Sequence, residues 1–276
     1  MHLARLLLPI DQHGTTDACV ASAVTLAQRF GVVLEVLYPC PPPWQRLPYS
    51  SELSPYAVQE LIEVERKQAA AERRSAKKWC QKQAKAHAKV RVEFAAAEGL
   101  VTQVVAGHAR LADFSVVPSR TEGEGTFWED VRDGALFDSG RPMLVVPPGA
   151  ACRPTGTVVI GWKDRPEAVR AIAAAAPFLG KAKRVRLVAV AEEDQADPSL
   201  EAMADYLAQA GLKVRPSRIP QNGRDAGEAL VEEASKEKDV LLVMGAFGHG
   251  RLRERVFGGA TQSVLRNTTV PVLMMH

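Results

Sequence analysis

The order of strand and helix runs through this chain twice, and that repetition limits the possible folds more than any other feature. In the first pass, apolar runs at Leu6–Ile10, Val32–Leu37, Val90–Phe94, Phe114–Val117 and Met143–Val146 read as strands. Helical spacing marks Thr16–Phe30, where Val20, Val24 and Ala27 recur and Gly31 supplies a stop, then about Ala57–His87 and Val101–Ala109. After Pro147-Pro148-Gly149 the order begins again. Strands are expected at Thr157–Gly161, Val185–Val190, Val214–Arg218, Val240–Met244 and Val270–Met275. Helices are expected from Asp164 to about Leu179 and over Ser199–Ala210, Ala226–Ser235 and Thr261–Arg266. Asp164 with Glu167, and Asp225 with Glu228, have capping-box spacing. The two passes even end alike, Arg141-Pro142-Met143-Leu144-Val145 beside Val270-Pro271-Val272-Leu273-Met274. Wholly apolar strands alternating with helices predict two α/β domains, each a mostly parallel sheet with helices on both faces. The first is expected over residues 1–149 and the second over 154–276.

The last 37 residues, from Val240, carry the chemistry. The Val240–Met244 strand passes into a loop bearing Gly245, Gly248, Gly250 and Gly258-Gly259, and the helix at Thr261–Arg266 follows. Glycines let a backbone come close to a guest, and a helix start offers free N–H groups and the positive end of a dipole. The expected guest is an anion. His249, Arg251, Arg253 and Arg255 lie in the same loop and favour that charge.

Gly245-Ala246-Phe247-Gly248, nine intervening residues, Gly258-Gly259 and the closing Val270-Pro271-Val272 resemble the nucleotide-binding signature of the universal stress protein family. The repeat resembles the tandem type of that family. The resemblance implies a five-stranded Rossmann-like sheet in each half and ATP or a related adenine nucleotide across the carboxyl ends of the strands, with a magnesium ion left open. It implies a contact set of Gly161, Trp162, Lys163, Met244, Gly245, Gly248, Gly258, Gly259, Ala260 and Thr261. It also implies that the two closing strands pair the domains into a pseudo-dimer, with a homodimer as a further step. Two positions depart from the pattern. Gly259 stands where the family carries a hydroxyl, with Thr261 two residues on, and Lys163 stands where the family carries an aspartate. The first half shows the reverse: Asp11 matches the aspartate, but the counterpart loop, Ser119–Asp130, lacks the glycine spacing and holds Glu122, Glu124, Glu129 and Asp130. Carboxylates there oppose a triphosphate, so none is expected in the first half.

Other functions have less support. A net charge of +3 with 6% aromatics, not interleaved with basic residues, argues against a nucleic-acid binder. Four cysteines without a CxxC pair suggest reduced thiols in a cytoplasmic protein, and no stretch approaches a membrane span. The six histidines lack metal-ligand spacing, and no nucleophile motif stands out, so at most a slow ATP hydrolysis is expected. From Arg66 to Lys89, nine lysines and arginines face a single glutamate, Glu72, as on the wet side of a helix or on a docking surface. Cys40–Pro48, with Trp44, reads as a semi-rigid connector. The alternative function is a protein-interaction or small-ligand module that has lost ATP.

Overall fold

The computed structural model describes residues 3–46, 55–120, 125–153, 156–191, 198–246 and 259–276. Ten strands form one continuous sheet. In the first half they are β1 (Arg5–Pro9), β2 (Val33–Cys40), β3 (Val92–Glu98), β4 (Phe114–Pro118) and β5 (Met143–Val146). In the second they are β6 (Thr157–Trp162), β7 (Arg184–Ala191), β8 (Val214–Pro220), β9 (Val240–Gly245) and β10 (Val272–Met275). The order across the sheet is β3-β2-β1-β4-β5-β10-β9-β6-β7-β8. Each half is therefore the same parallel 3-2-1-4-5 arrangement. They join where β5 and β10 pair antiparallel, Val145 with Val272, Leu144 with Leu273 and Met143 with Met274. That pairing covers two apolar edges that would otherwise stand open.

Alternation along the strands sorts the core into two layers. Leu6 and Leu8 of β1 and Ile10 just beyond it, with Val158, Ile160 and Trp162 of β6, point to one face. That face is covered by α1 (Asp17–Phe30), α2 (Pro55–Ala86), α5 (Pro166–Ala174), α6 (Ala176–Leu179) and α7 (Pro198–Gln209). Leu7 and Val159 point to the other, under α3 (Val101–Ala109), α4 (Thr126–Asp133), α8 (Ala226–Ser235) and α9 (Ala260–Asn267). Phe30 of α1 meets Phe178 of α6 edge to face at 5.6 Å, so the first layer runs unbroken across the join.

Three local expectations need correction. Asp164 does not cap: Arg165 is the N-cap of α5 and makes no side-chain cap bond, because Pro166 sets the helix start at N1. Glu167 pairs instead with Arg170 at 3.0 Å. The helix expected to reach Leu179 breaks at Ala175, next to Pro177, whose missing N–H spoils the ladder. The region read as the first-half loop holds a helix, since α4 begins at Thr126 and includes Glu129 and Asp130, followed by a π turn at Gly134–Asp138. Asp225 caps α8 as expected, accepting from the Glu228 amide at 2.9 Å.

Candidate functional site

In a 3-2-1-4-5 sheet the chain turns to opposite sides on leaving the first and fourth strands, which opens a crevice beyond their carboxyl ends. One such crevice lies between β1 and β4 and the other between β6 and β9. Because β5 and β10 run antiparallel, the two crevices open at opposite ends of the sheet.

Two helices begin at the second-half crevice, one from each layer. On one face, α5 starts directly over the end of β9. A Cβ on Gly245 would lie 2.7 Å from the Ala168 amide nitrogen and 2.7 Å from the Glu167 carbonyl carbon, so only glycine lets the helix seat there. On the other face, Gly259 is the N-cap of α9 in extended geometry, φ −129° and ψ 166°, without a side-chain cap bond. Its helix is backed by α8, where a Cβ on Gly227 would lie 2.2 Å from the Ala260 carbonyl oxygen. Ala260 is half-buried and Thr261 is buried. At α9 the Ser263 amide bonds the Gly259 carbonyl, and at α5 Pro166 carries no N–H while the Ala168 amide bonds the Arg165 carbonyl; both dipoles are positive at this end. Lys163, exposed just beyond β6, adds a full charge to the same edge.

The other expected contacts have different surroundings. Gly161 faces the second layer, where a Cβ would lie 2.7 Å from the Leu230 Cδ1, so its bareness serves helix packing. Trp162 is buried, and its Nε1 donates to the Ser199 Oγ of α7 at 3.0 Å. Met244 is buried under the second layer. Only backbone groups of these three are left to face a guest. Gly248 and Gly258, with His249, Arg251, Arg253 and Arg255, lie outside the described residues. Sequence reasoning missed the start of α5 as a wall of the crevice; Pro166 at N1 was the available signal.

The first-half crevice is built differently. Asp11 closes a short turn with Gly14, its Oδ1 accepting from the His13 amide at 2.6 Å, while Thr16 caps α1. Gly14, at φ +108°, has the Trp79 ring of α2 packed where a side chain would sit. Glu129 pairs with Arg120 at 2.5 Å. Burial pushes the Asp130 carboxyl above its ordinary range. Arg132, also buried, is lowered to about 10 and donates to the Pro118 carbonyl at 3.2 Å. The Arg120 amide also donates to the Leu265 carbonyl of α9 at 2.7 Å, tying this crevice to the second half.

The fold is that of an α/β protein of two Rossmann-like halves, and two helices start beside the switch point of the second. Residues 156–276 match the model of the universal stress protein family. The universal stress protein Slr1230 of Synechocystis sp. is 37% identical over 82 residues, 30% of this chain and 28% of that protein. The match therefore spans less than a third of that relative's length. Among solved structures, a universal stress protein from Archaeoglobus fulgidus superposes with a TM-score of 0.65 at 19% identity, over 98% of this chain and 95% of its own. A functionally unknown protein from Pseudomonas aeruginosa superposes at 0.56 with 14% identity, over 99% of this chain and 92% of its own. At these identities the likeness is one of fold.

Proposed function

We propose that the second half, taken as a domain over residues 154–276, binds ATP or a related adenine nucleotide at the crevice between β6 and β9. The carrying observation is the convergence of the α5 and α9 starts on that crevice, with Gly245 letting α5 close over the strand end. Phosphate oxygens accept from backbone amides at the start of α9, near Gly259, Ala260 and Thr261, and Lys163 supplies a point charge in place of a carboxylate. Gly245 gives backbone approach at the end of β9, and Gly248 and Gly258 of the sequence motif are assigned to the same ligand. Base and ribose lie across the strand ends, on the backbone of Gly161, Trp162 and Met244. The first half, over residues 1–149, serves as a structural partner without nucleotide, since its aspartate is used in a turn. The role is regulatory, with binding altering loop order or assembly, two chains pairing as a homodimer and any hydrolysis slow. The four buried free thiols fit a reducing cytosol.

Isothermal titration of ATP into the full chain tests this reading, with saturable heat as the expected result. Gly259→Asp is the diagnostic variant. An aspartate at an extended N-cap favours the helix, so the fold is kept while a carboxylate meets the phosphates. A Kd raised roughly tenfold or more at unchanged Tm supports the site. No heat at millimolar nucleotide, or an unchanged Kd in Gly259→Asp, rejects it in favour of a different guest.

A further inference from the structure

The repeat contains its own control for the longest helix. In the second half, the helix after the second strand is α7, 12 residues long; in the first half the same topological position is filled by α2, with 32. A helix of that length spans ~48 Å, about twice the ~23 Å of the seven-residue β3 it lies against. Covering the sheet thus accounts for α7 but not for the excess length of α2, nor for its charge.

Spacing places Ala69, Ala76 and Cys80 of α2 toward the sheet and Lys67, Arg74, Lys77, Lys78, Lys82 and Lys85 on the other side of the helix. All six are exposed, and none has a carboxylate partner among the described residues. Glu72, the one acid in this stretch, is turned away. It holds Arg46 through two bonds of 2.8 and 2.6 Å and accepts from the Tyr38 hydroxyl at 2.9 Å. Glu60 and Glu63 are exposed on the same arc as these cations but precede Lys67, so the positive strip begins there.

We propose that this arc of α2 is a peripheral docking surface for an anionic phospholipid bilayer. The chain carries only +3 in all, while residues 66–89 hold nine cations against one acid, so the rest of the molecule is net negative. A flexible polyanion that wraps the protein meets that negative body, whereas a flat anionic surface touches the strip alone. Tyr56, 71% exposed, lies on the same side of α2 further toward its N-terminus and suits the headgroup region. Between Lys67 and Lys85 the arc presents no large apolar side chain, so attachment is electrostatic and released by salt.

Vesicle co-sedimentation of the full chain tests this, comparing phosphatidylcholine alone with phosphatidylcholine containing about a third phosphatidylglycerol. The expected result is binding to the anionic vesicles only, at ~50 mM salt, and release at ~500 mM. Lys77→Gln/Lys78→Gln/Lys82→Gln should weaken partitioning roughly tenfold or more. The matched control Lys183→Gln/Lys213→Gln/Arg215→Gln, on exposed cations elsewhere, should change it less than about twofold. All six positions are exposed, and circular dichroism checks that the folds are kept. Failure of the wild type to bind, or equal losses in both triple variants, overturns the proposal. So does a short DNA duplex that strips the protein from vesicles at equal total charge, which would assign the strip to nucleic acid.

Discussion

Arg186 holds on β7 the register position that Glu35 holds on β2. Glu35 lies opposite Leu7 and Arg186 opposite Val159, each the third residue of the first strand of its half. Both side chains point into the second layer, and each engages a side chain on the helix that precedes the fourth strand of its half, His108 on α3 and Glu233 on α8. Glu35 bonds His108 and Arg5, and Arg186 meets Glu233 at 2.5 Å and Glu237 at 3.4 Å. The strut has the same geometry in both halves and opposite polarity. What the fold requires at this point is a long side chain with a partner in reach; the sign of its charge is free, provided helix and strand differ.

Removing the charge from the Glu35 strut should destabilise the chain. Glu35→Gln leaves the Arg5 and His108 groups short of an acceptor, and a loss of about 2–3 kcal/mol is expected in urea unfolding. Burial alone would raise the Glu35 pKa, but the bonds from His108 and Arg5 outweigh it and hold the carboxylate below its ordinary 4.5. The carboxylate therefore contributes its stability above the unfolded value, and that contribution is lost as pH falls through the lower folded one. Wild type should lose more stability than Glu35→Gln on going from about pH 6 to about pH 3. Parallel pH profiles would show that the strut is not the source.

Three glycines near the second crevice should rank by what stands against them. At Gly227 and Gly245 an added Cβ meets backbone, the Ala260 carbonyl and the Glu167–Ala168 peptide, which cannot move without shifting a helix. At Gly161 it meets the Leu230 Cδ1, the far end of a rotatable side chain. Alanine at the first two should cost about 1–3 kcal/mol, and alanine at Gly161 less than about 1. Equal losses at all three, measured by chemical denaturation, would remove the argument that Gly245 exists to seat α5.

Much of this arrangement was legible from periodicity. Leu6–Ile10 and Val240–Met244 are continuous apolar runs because both faces of those strands are covered by helices. The pairing of β5 with β10 could be inferred from the like endings at Met143 and Val272. What stayed hidden depended on side-chain direction and tertiary company. Gly161 looks like a ligand-approach glycine in sequence, and only its register on β6 turns it toward Leu230. Trp162, one residue later, is sent to the other layer and to Ser199. Asp164 has the spacing of a cap, but Pro166 at N1 makes Arg165, one residue beyond it, the N-cap. The acidic stretch ending in Glu129 and Asp130 reads as a loop because its capping residue is Gly125, which carries no side-chain signal.

The clasp formed by Glu72, Arg46 and Tyr38 fixes α2 to the end of β2. Burial would raise the Glu72 pKa, yet the bonds from Arg46 and Tyr38 keep it low, and Glu72 in turn raises Tyr38 together with burial. Glu72→Ala leaves the Tyr38 hydroxyl and a partly buried guanidinium without their acceptor, a loss of about 1–3 kcal/mol. The disturbance should be local. Hydrogen exchange should speed up in the N-terminal half of α2 and the turn at Pro43–Arg46, while β6–β10 exchange as in wild type. Faster exchange throughout the sheet would mean that the clasp supports the whole fold instead.

Cutting the repeat in two should expose what the join conceals. Val272, Leu273 and Met274 of β10 are fully buried, and their outer hydrogen-bonding edge is occupied by β5. In a polypeptide of residues 154–276 alone, that edge is bare and apolar, with no proline or charge within Val272–Met275 to blunt it. A second copy can supply the missing strand, because the β5–β10 register, centred on Leu144 and Leu273, is one that two β10 strands can form about a two-fold axis. Light scattering after size exclusion should therefore find the fragment dimeric where the full chain does not use this edge. Leu273→Lys in the fragment, placing like charges face to face across the axis, should weaken the dimer by at least tenfold. A fragment that stays folded and monomeric at ~100 μM would show that the β10 edge does not drive association by itself.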